Sequence, residues 1–429
     1  MIDVNTAFIF FSALVFFGFI LNALFAKVKI ANILPLMLIG LLLGPVLHVV
    51  STSPNSVIAR LTPFITATAI AFILFRVGLS IDFNSLKRVL SRATLFTFTV
   101  TAVSGIILGA IALYIFGWNI EESFIFGFAL AGPSTLILPI IVSLTKINED
   151  LKTTLIYEAV TSDVLTLIVP LVLFEILITP NVGVGFVTVL VFNTIFGSVF
   201  AAAISAFLWL YILNRFKTYS KGYGWMLTIA MVVATYGLTQ SIGFNGAMTV
   251  FVFGLLVANI GSRKTEVDAK HNVGIMEKYF AVPDIIADIK DYQNQIVFFV
   301  STFFFVYLGM LFTVSGASIA LVVFAVLISV LILPIRYLFI PMIKDMFSKD
   351  RRAMKIEHSF VAFDISRGLA PAVIATLPIA YGILIPHFTD SIFLVMLITN
   401  IIATVGVFAT YREVKGSSLV VTASDNSKV

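Results

Sequence analysis

Asp163 lies ten residues into the apolar run Thr153–Ile178. Along a helix that is about 15 Å, the middle of a hydrocarbon layer about 30 Å thick. Glu158 precedes it by five residues, in the inner half of the same run. Arg367 lies eight residues into another run, Ser359–Ala380, at similar depth. An ionised group at the bilayer centre costs at least about 2.5–3.5 kcal/mol on insertion scales, so it needs a partner or a job. A carboxylate in a partly desolvated cavity can be neutralised by a proton or by a small cation, and one occupant excludes the other. That is the chemistry of exchange. Asp163 is too deep to snorkel and is the expected exchange site. Glu158 and Arg367 read as a structural ion pair holding 359–380 against 153–178.

Two runs near these residues are interrupted in mid-span. One passes through Gly132-Pro133-Ser134-Thr135, the other through Arg367-Gly368-Leu-Ala-Pro371. Proline removes a backbone donor and crowds the preceding turn. Lipid cannot satisfy freed backbone groups, so such breaks should line a protein-buried cavity. A lone Gly-Pro in a membrane helix is more often a simple kink; the pairing of two breaks raises the functional reading. Arg76 and Arg336 lie in the inner parts of their runs and either snorkel to the interface or serve the core. Glu175 sits near an outer end and is expected to reach headgroup water. Asp364 either hydrates the cavity or pairs with a cation.

Stepping outward, 60% of the 429 residues are hydrophobic and 11% are charged. Soluble domains run near 45–50% and 25%, so a water-soluble globular enzyme is excluded. Thirteen runs are long enough to span: Ala7–Ala26, Leu34–Val50, Leu61–Ser80, Ala93–Phe116, Phe124–Leu144, Thr153–Ile178, Val184–Leu213, Gly224–Gln240, Ala247–Ile260, Ile296–Thr313, Ala317–Ile343, Ser359–Ala380 and Ser391–Tyr411. The first has an acidic leader with Asp3 and no Lys or Arg, and reads as a retained helix. Of the 27 Lys and Arg residues, only Arg60 falls in an outer loop when the N-terminus is placed outside. Arg76, Arg336 and Arg367 lie within spans, and the others collect in the inner loops and tail, as the positive-inside rule requires. The expected architecture is an all-α polytopic membrane protein with N-terminus out and C-terminus cytoplasmic, in a plasma or inner membrane. Spans one to six and eight to thirteen form two inverted halves, which makes the broken spans five and twelve equivalent. Paired broken helices in an inverted repeat point to a transporter's midplane site. Residues 261–295 read as a cytoplasmic loop with a short interfacial stretch at Ile285, Ile286 and Ile289. Residues 416–429 read as a polar tail.

The net charge of +5 is thus an orientation signal, and no basic, aromatic-laced face for nucleic acid is present. There is no cysteine. His48, His271, His358 and His387 show no metal-ligand spacing, and no phosphate-loop or nucleophile motif occurs. Neither a cofactor nor an enzymatic reaction is expected; transport would run on gradients. Glu158 and Asp163 sit roughly 140° apart around a helix, so they cannot form a proteolytic dyad, and no channel filter motif is present.

In order and depth, these residues resemble the monovalent cation:proton antiporter superfamily, particularly its NhaP-type Na+/H+ antiporters. The sixth-helix motif Glu-Ser-x-x-Asn-Asp is similar to Glu158-Ala159-Val160-Thr161-Ser162-Asp163. The fifth-helix Thr-Asp-Pro stretch is similar to Gly132-Pro133-Ser134. A twelfth-helix Arg-Gly that pairs with the motif glutamate matches Arg367-Gly368, and an eleventh-helix arginine matches Arg336. Phe75-Arg76-Val77-Gly78-Leu79-Ser80-Ile81-Asp82 and Gly254-Leu255 also resemble family stretches. The resemblance implies thirteen helices and a homodimer. It places an ion-binding core in spans four to six and eleven to thirteen (about 93–178 and 317–411), and a dimerisation scaffold in spans one to three and seven to ten (about 7–80 and 184–313). It implies exchange of Na+ or Li+ for H+ at Asp163, with Ser162, Thr161, Ser134, Thr135 and freed span-five carbonyls as further cation ligands. A K+/H+ antiporter or another proton-coupled carrier is the alternative. Gly132 stands where the family has Asp, Ala159 where it has Ser, and Ser162 where it has Asn; Arg76 replaces a frequent acid. Electrogenic relatives carry a second Asp at the position of Ser162. With Ser162 uncharged and Glu158 paired, one titrating group remains, which predicts electroneutral one-for-one exchange.

Overall fold

A computed structural model describes residues 12, 16–20, 24, 33–48, 57–81, 92–134, 140–141, 147–179, 196–262, 279–313 and 319–414. The first span lies mostly outside these residues, and Thr135 and the 416–429 tail lie wholly outside. The described residues form helices joined by turns, with no strand among them. In hydrocarbon the backbone must satisfy itself, and a helix does so within one segment.

The helices are α1 (Ile33–Leu41, running on as a π turn to Val46), α2 (Val57–Ser80), α3 (Arg92–Phe116), α4 (Ile120–Ala129), α5 (Glu149–Ile178), α6 (Ser198–Arg215) and α7 (Lys217–Ser241). They continue with α8 (Gly246–Gly261), α9 (Pro283–Leu311), α10 (Ile319–Phe339, tightening to a 3-10 turn at Ile340–Met346), α11 (Arg351–Phe363), α12 (Leu369–Ala380) and α13 (Phe388–Val414). Seven stretches of these are long and apolar enough to cross a membrane, and α1, α8 and α12 are shorter apolar helices. The chain leaves the helix between Ser241 and Gly246, where the expected spans eight and nine divide. Asn245 caps the restart, its side-chain oxygen accepting from Met248 N–H at 2.9 Å.

The chain divides into two compact units: residues 1–63, 89–173 and 302–429, and residues 64–88 and 174–301. In the second unit, α2 and α8 touch backbone to backbone. A Cβ on Gly78 would lie 2.3 Å from the Phe251 carbonyl oxygen, and one on Gly254 would lie 2.5 Å from that of Phe75. Small residues allow such approach between membrane helices, which gives these two glycines a packing reason.

One expectation is corrected here. Residues 283–295 are not loop but the first turns of α9, continuous with the span that follows. Ile285, Ile286 and Ile289 are buried at 1%, 0% and 2% exposure, with Ile286 against Gly261 and Val282 N–H bonded to the Gly261 carbonyl at 2.9 Å. They face protein rather than a membrane surface. Glu175 differs as well. Its carboxylate accepts from the Asn245 side-chain amide at 3.0 Å, a partner on a helix remote in sequence that no single-helix count could supply.

Candidate functional site

Two interrupted helices meet inside the first unit. α11 starts on Asp350, whose carboxylate accepts from Ala353 N–H at 2.8 Å. It stops at Phe363; residues 364–368 are non-helical, and α12 begins at Leu369. Gly368 therefore belongs to the break. Pro371 does not: it sits in the first turn of α12, where its missing N–H would have no helical partner anyway. On the other strand of the crossing, α4 ends at Ala129 and residues 131–134 are non-helical. Gly132 and Pro133 thus fall in a break.

Short bonds join the two breaks. Ser134 N–H donates to the Ser366 carbonyl at 2.9 Å, and the Ser366 hydroxyl donates to the Ser134 carbonyl at 3.3 Å. Arg367 Nη1 donates to the Gly132 carbonyl at 2.7 Å, and Ser162 Oγ on α5 donates to the Pro133 carbonyl at 2.8 Å. The successive carbonyls of 132, 133 and 134 are each engaged by a side chain. The break satisfies its own backbone, as burial demands, and these oxygens are not idle cation ligands. Asn400 on α13 steadies the other side, its amide donating to the Arg367 carbonyl at 2.9 Å.

The ion pair differs from expectation. Glu158 is bonded by Arg336, not Arg367. Arg336 Nη1 and Nη2 lie 2.6 and 2.8 Å from the two Glu158 carboxylate oxygens, a bidentate fork. Arg336 Nε donates to the Val361 carbonyl, and Nη2 lies 3.5 Å from Asp364 Oδ2. All three side chains are sealed, at 1–2% exposure. Arg336 does not snorkel. It sits in the last turn of α10, above the Phe96 ring at 5.9 Å. Arg367 is used elsewhere, because its guanidinium is turned to the carbonyl end of the broken α4. Depth does not separate the two arginines, since Glu158 is five residues from the inner end of its span, Arg336 seven and Arg367 eight.

Asp163 lies on α5 one turn beyond Glu158 and is partly exposed, whereas Glu158 and Asp364 are buried. Thr161 is also partly exposed, and Ser162 and Ser134 are buried. Ser162 pins α5 to the break through its hydroxyl proton. Arg76 is half-buried on α2 and belongs to the second unit.

The glycine that replaces the family's span-five aspartate has a steric reason. A Cβ on Gly132 would lie 2.5 Å from Ser162 Cβ and 3.1 Å from Thr166 Cγ2. The substitutions at 132 and 162 are packed on one another, and no carboxylate fits there without moving α5. Overpacking of this kind costs about 1–3 kcal/mol. Gly132→Ala should lower the thermal midpoint, and by less when made in a Ser162→Gly background, which itself loses the bond to the Pro133 carbonyl. An equal drop in both backgrounds would remove the contact from the explanation.

Comparison with known proteins fits this geometry. The family of transmembrane sodium/hydrogen exchangers matches residues 12–413. The chain belongs to that family. The exchanger is accordingly a multi-pass membrane transporter of the cation:proton antiporter superfamily, a cation/proton antiporter and not a member of an enzyme class. Its structure is similar to that of the sodium proton antiporter MjNhaP1 from Methanocaldococcus jannaschii at pH 8. The TM-score is 0.67 at 18% identity, covering 96% of the exchanger and 100% of that chain. An electron-microscopy structure of MjNhaP1 gives 0.64 at 18% identity, covering 97% and 99%. No curated protein matches the sequence. At this identity the likeness establishes the fold.

Proposed function

We propose that the exchanger carries Na+ or Li+ against H+, one for one, with both ions competing for the Asp163 carboxylate. The observation that carries this reading is the contrast in exposure within one charge cluster. Arg336 and Arg367 bring two positive charges into the core of the first unit, and Glu158 and Asp364 bring two sealed negative ones. Asp163 adds a third carboxylate, and it alone of the three is partly exposed. The surplus is a single negative charge, which one proton or one monovalent cation neutralises.

A hard cation favours oxygen ligands. Asp163 supplies the charge, and Thr161 and the hydroxyls of Ser134, Ser162 and Thr135 are the side-chain oxygens proposed nearest to it. Water supplies the rest, since the 132–134 carbonyls are engaged. α5 and the crossed breaks move against the remaining helices, exposing Asp163 to one side and then the other. The N-terminus lies outside and the tail in the cytoplasm, and the protein acts as a homodimer.

The deciding experiment is proton flux in proteoliposomes given Na+, Li+ or K+ in turn. Na+ and Li+ should each release internal protons, and a response confined to K+ would replace the ion assignment. A clamped potential tests stoichiometry: electroneutral exchange runs at the same rate at either polarity. Competition has a sign as well. As pH falls, more Asp163 is protonated, so the cation concentration for half-maximal exchange should rise while the maximal rate changes little. A half-maximal concentration that is flat with pH would separate the two sites.

A further inference from the structure

A groove of about 620 Å³ opens between α10 and α11, lined by Tyr337, Arg351, Met354, Lys355, Phe363 and their neighbours. Its chemistry is graded by depth. Lys355 lies nine residues before Asp364, which opens the mid-depth break. That is about 14 Å along the helix, close to half of a hydrocarbon layer about 30 Å thick. Arg351 is one turn further out, at headgroup level. Met354 lies between them on the same face, and inward come His358 and Ser359, then Ala362 and Phe363. Tyr337 and Leu338 on α10 are 63% and 70% exposed, as lipid-facing side chains are.

Among the described residues neither Arg351 nor Lys355 forms an ion pair. The acids nearby are committed elsewhere. Glu357, on the opposite face of α11, accepts from Asn148 N–H at 2.8 Å and from Ser348 N–H and hydroxyl at 2.7 Å. Asp350 caps α11, and Asp345 pairs with Arg92. A basic mouth, a polar level at His358 and Ser359 and an apolar floor at Ala362 and Phe363 match a headgroup phosphate, its ester groups and an acyl chain; a free phosphate would leave the floor bare. Basic pockets between membrane helices take anionic headgroups in this way.

We propose that this groove binds one anionic phospholipid, with its phosphate between Arg351 and Lys355 and an acyl chain along Ala362 and Phe363. The bound lipid braces α11 ahead of the break. The proposal does not depend on Asp163 or on the transported ion.

Native mass spectrometry of the delipidated full chain tests it, with titration of phosphatidylglycerol, phosphatidylcholine or glycerol 3-phosphate. Phosphatidylglycerol should be retained in preference to phosphatidylcholine. Arg351→Gln with Lys355→Gln should weaken its retention on the order of 30-fold, from two basic contacts. Arg352→Gln removes the same kind of charge next door but outside the groove, and should leave retention unchanged. Arg351→Lys with Lys355→Arg should hold the lipid. Should the double neutral variant not fold, Arg351→Gln alone, at an exposed first-turn position, reads the same effect at smaller size. Wild-type retention in the neutral variants, an equal loss in Arg352→Gln, or displacement of the lipid by glycerol 3-phosphate would each overturn the proposal.

Discussion

Replacing Arg336 with Gln is expected to cost about 3–5 kcal/mol of stability, because it strands a buried Glu158 carboxylate. Both oxygens of that carboxylate lean on Arg336, at 2.6 and 2.8 Å, and Glu158 is 1% exposed. Asp364 loses a positive neighbour at the same time. Glu158→Gln should be milder than Arg336→Gln, since Arg336 keeps Asp364 and the Val361 carbonyl. The double variant should fall short of the sum of the two, because the fork exists only when both ends are present. Arg367→Gln is the comparison that separates the two arginines. It removes the bond to the Gly132 carbonyl, so it should loosen the crossing of the breaks, yet its effect should add to that of Glu158→Gln. Thermal unfolding in detergent of the three single and two double variants measures this. Strong coupling of Glu158 to Arg367, with additivity to Arg336, would restore the pairing that the sequence alone suggests.

That pairing shows where the sequence was legible and where it was not. Depth along a helix is written in the chain, because each residue advances about 1.5 Å. Asp163, the two breaks and the splitting of α7 from α8 could therefore be placed by counting. Azimuth is not written in it. Arg336 and Arg367 reach similar depths on different helices, and only packing decides which guanidinium turns to Glu158. The same limit hid the reason for Gly132. An aspartate missing from a motif reads as a lost ligand, but at 2.5 Å from Ser162 Cβ it is a contact that admits no side chain. Pro371 shows a second limit, since a proline in the first turn of a helix removes no helical bond and breaks the helix only further in. Ile285, Ile286 and Ile289 form an apolar stripe whose periodicity is equally suited to a membrane surface and a protein interior. Their near-zero exposure decides for the interior.

Asp163→Asn is expected to reduce cation-dependent proton release to that of protein-free vesicles. The amide keeps the shape and the hydrogen-bonding capacity of the side chain while removing the charge that a proton or a cation neutralises, so no partial turnover should survive. Glu158→Gln offers the contrast. It lies one turn away on the same helix but is sealed and bound to Arg336, so its loss should act through stability. Binding can be read without transport. A ligand that binds only the folded state stabilises it by RT ln(1 + [L]/Kd), about 2.7 kcal/mol at a hundred times Kd. Na+ should therefore raise the thermal midpoint of the wild type, more at high pH than at low pH, because protons compete for the same carboxylate. The Asp163→Asn protein should show no Na+-dependent rise at any pH. A variant that loses flux but keeps the rise would place the cation elsewhere and leave Asp163 as a proton carrier alone. One that keeps both would take the exchange site out of α5.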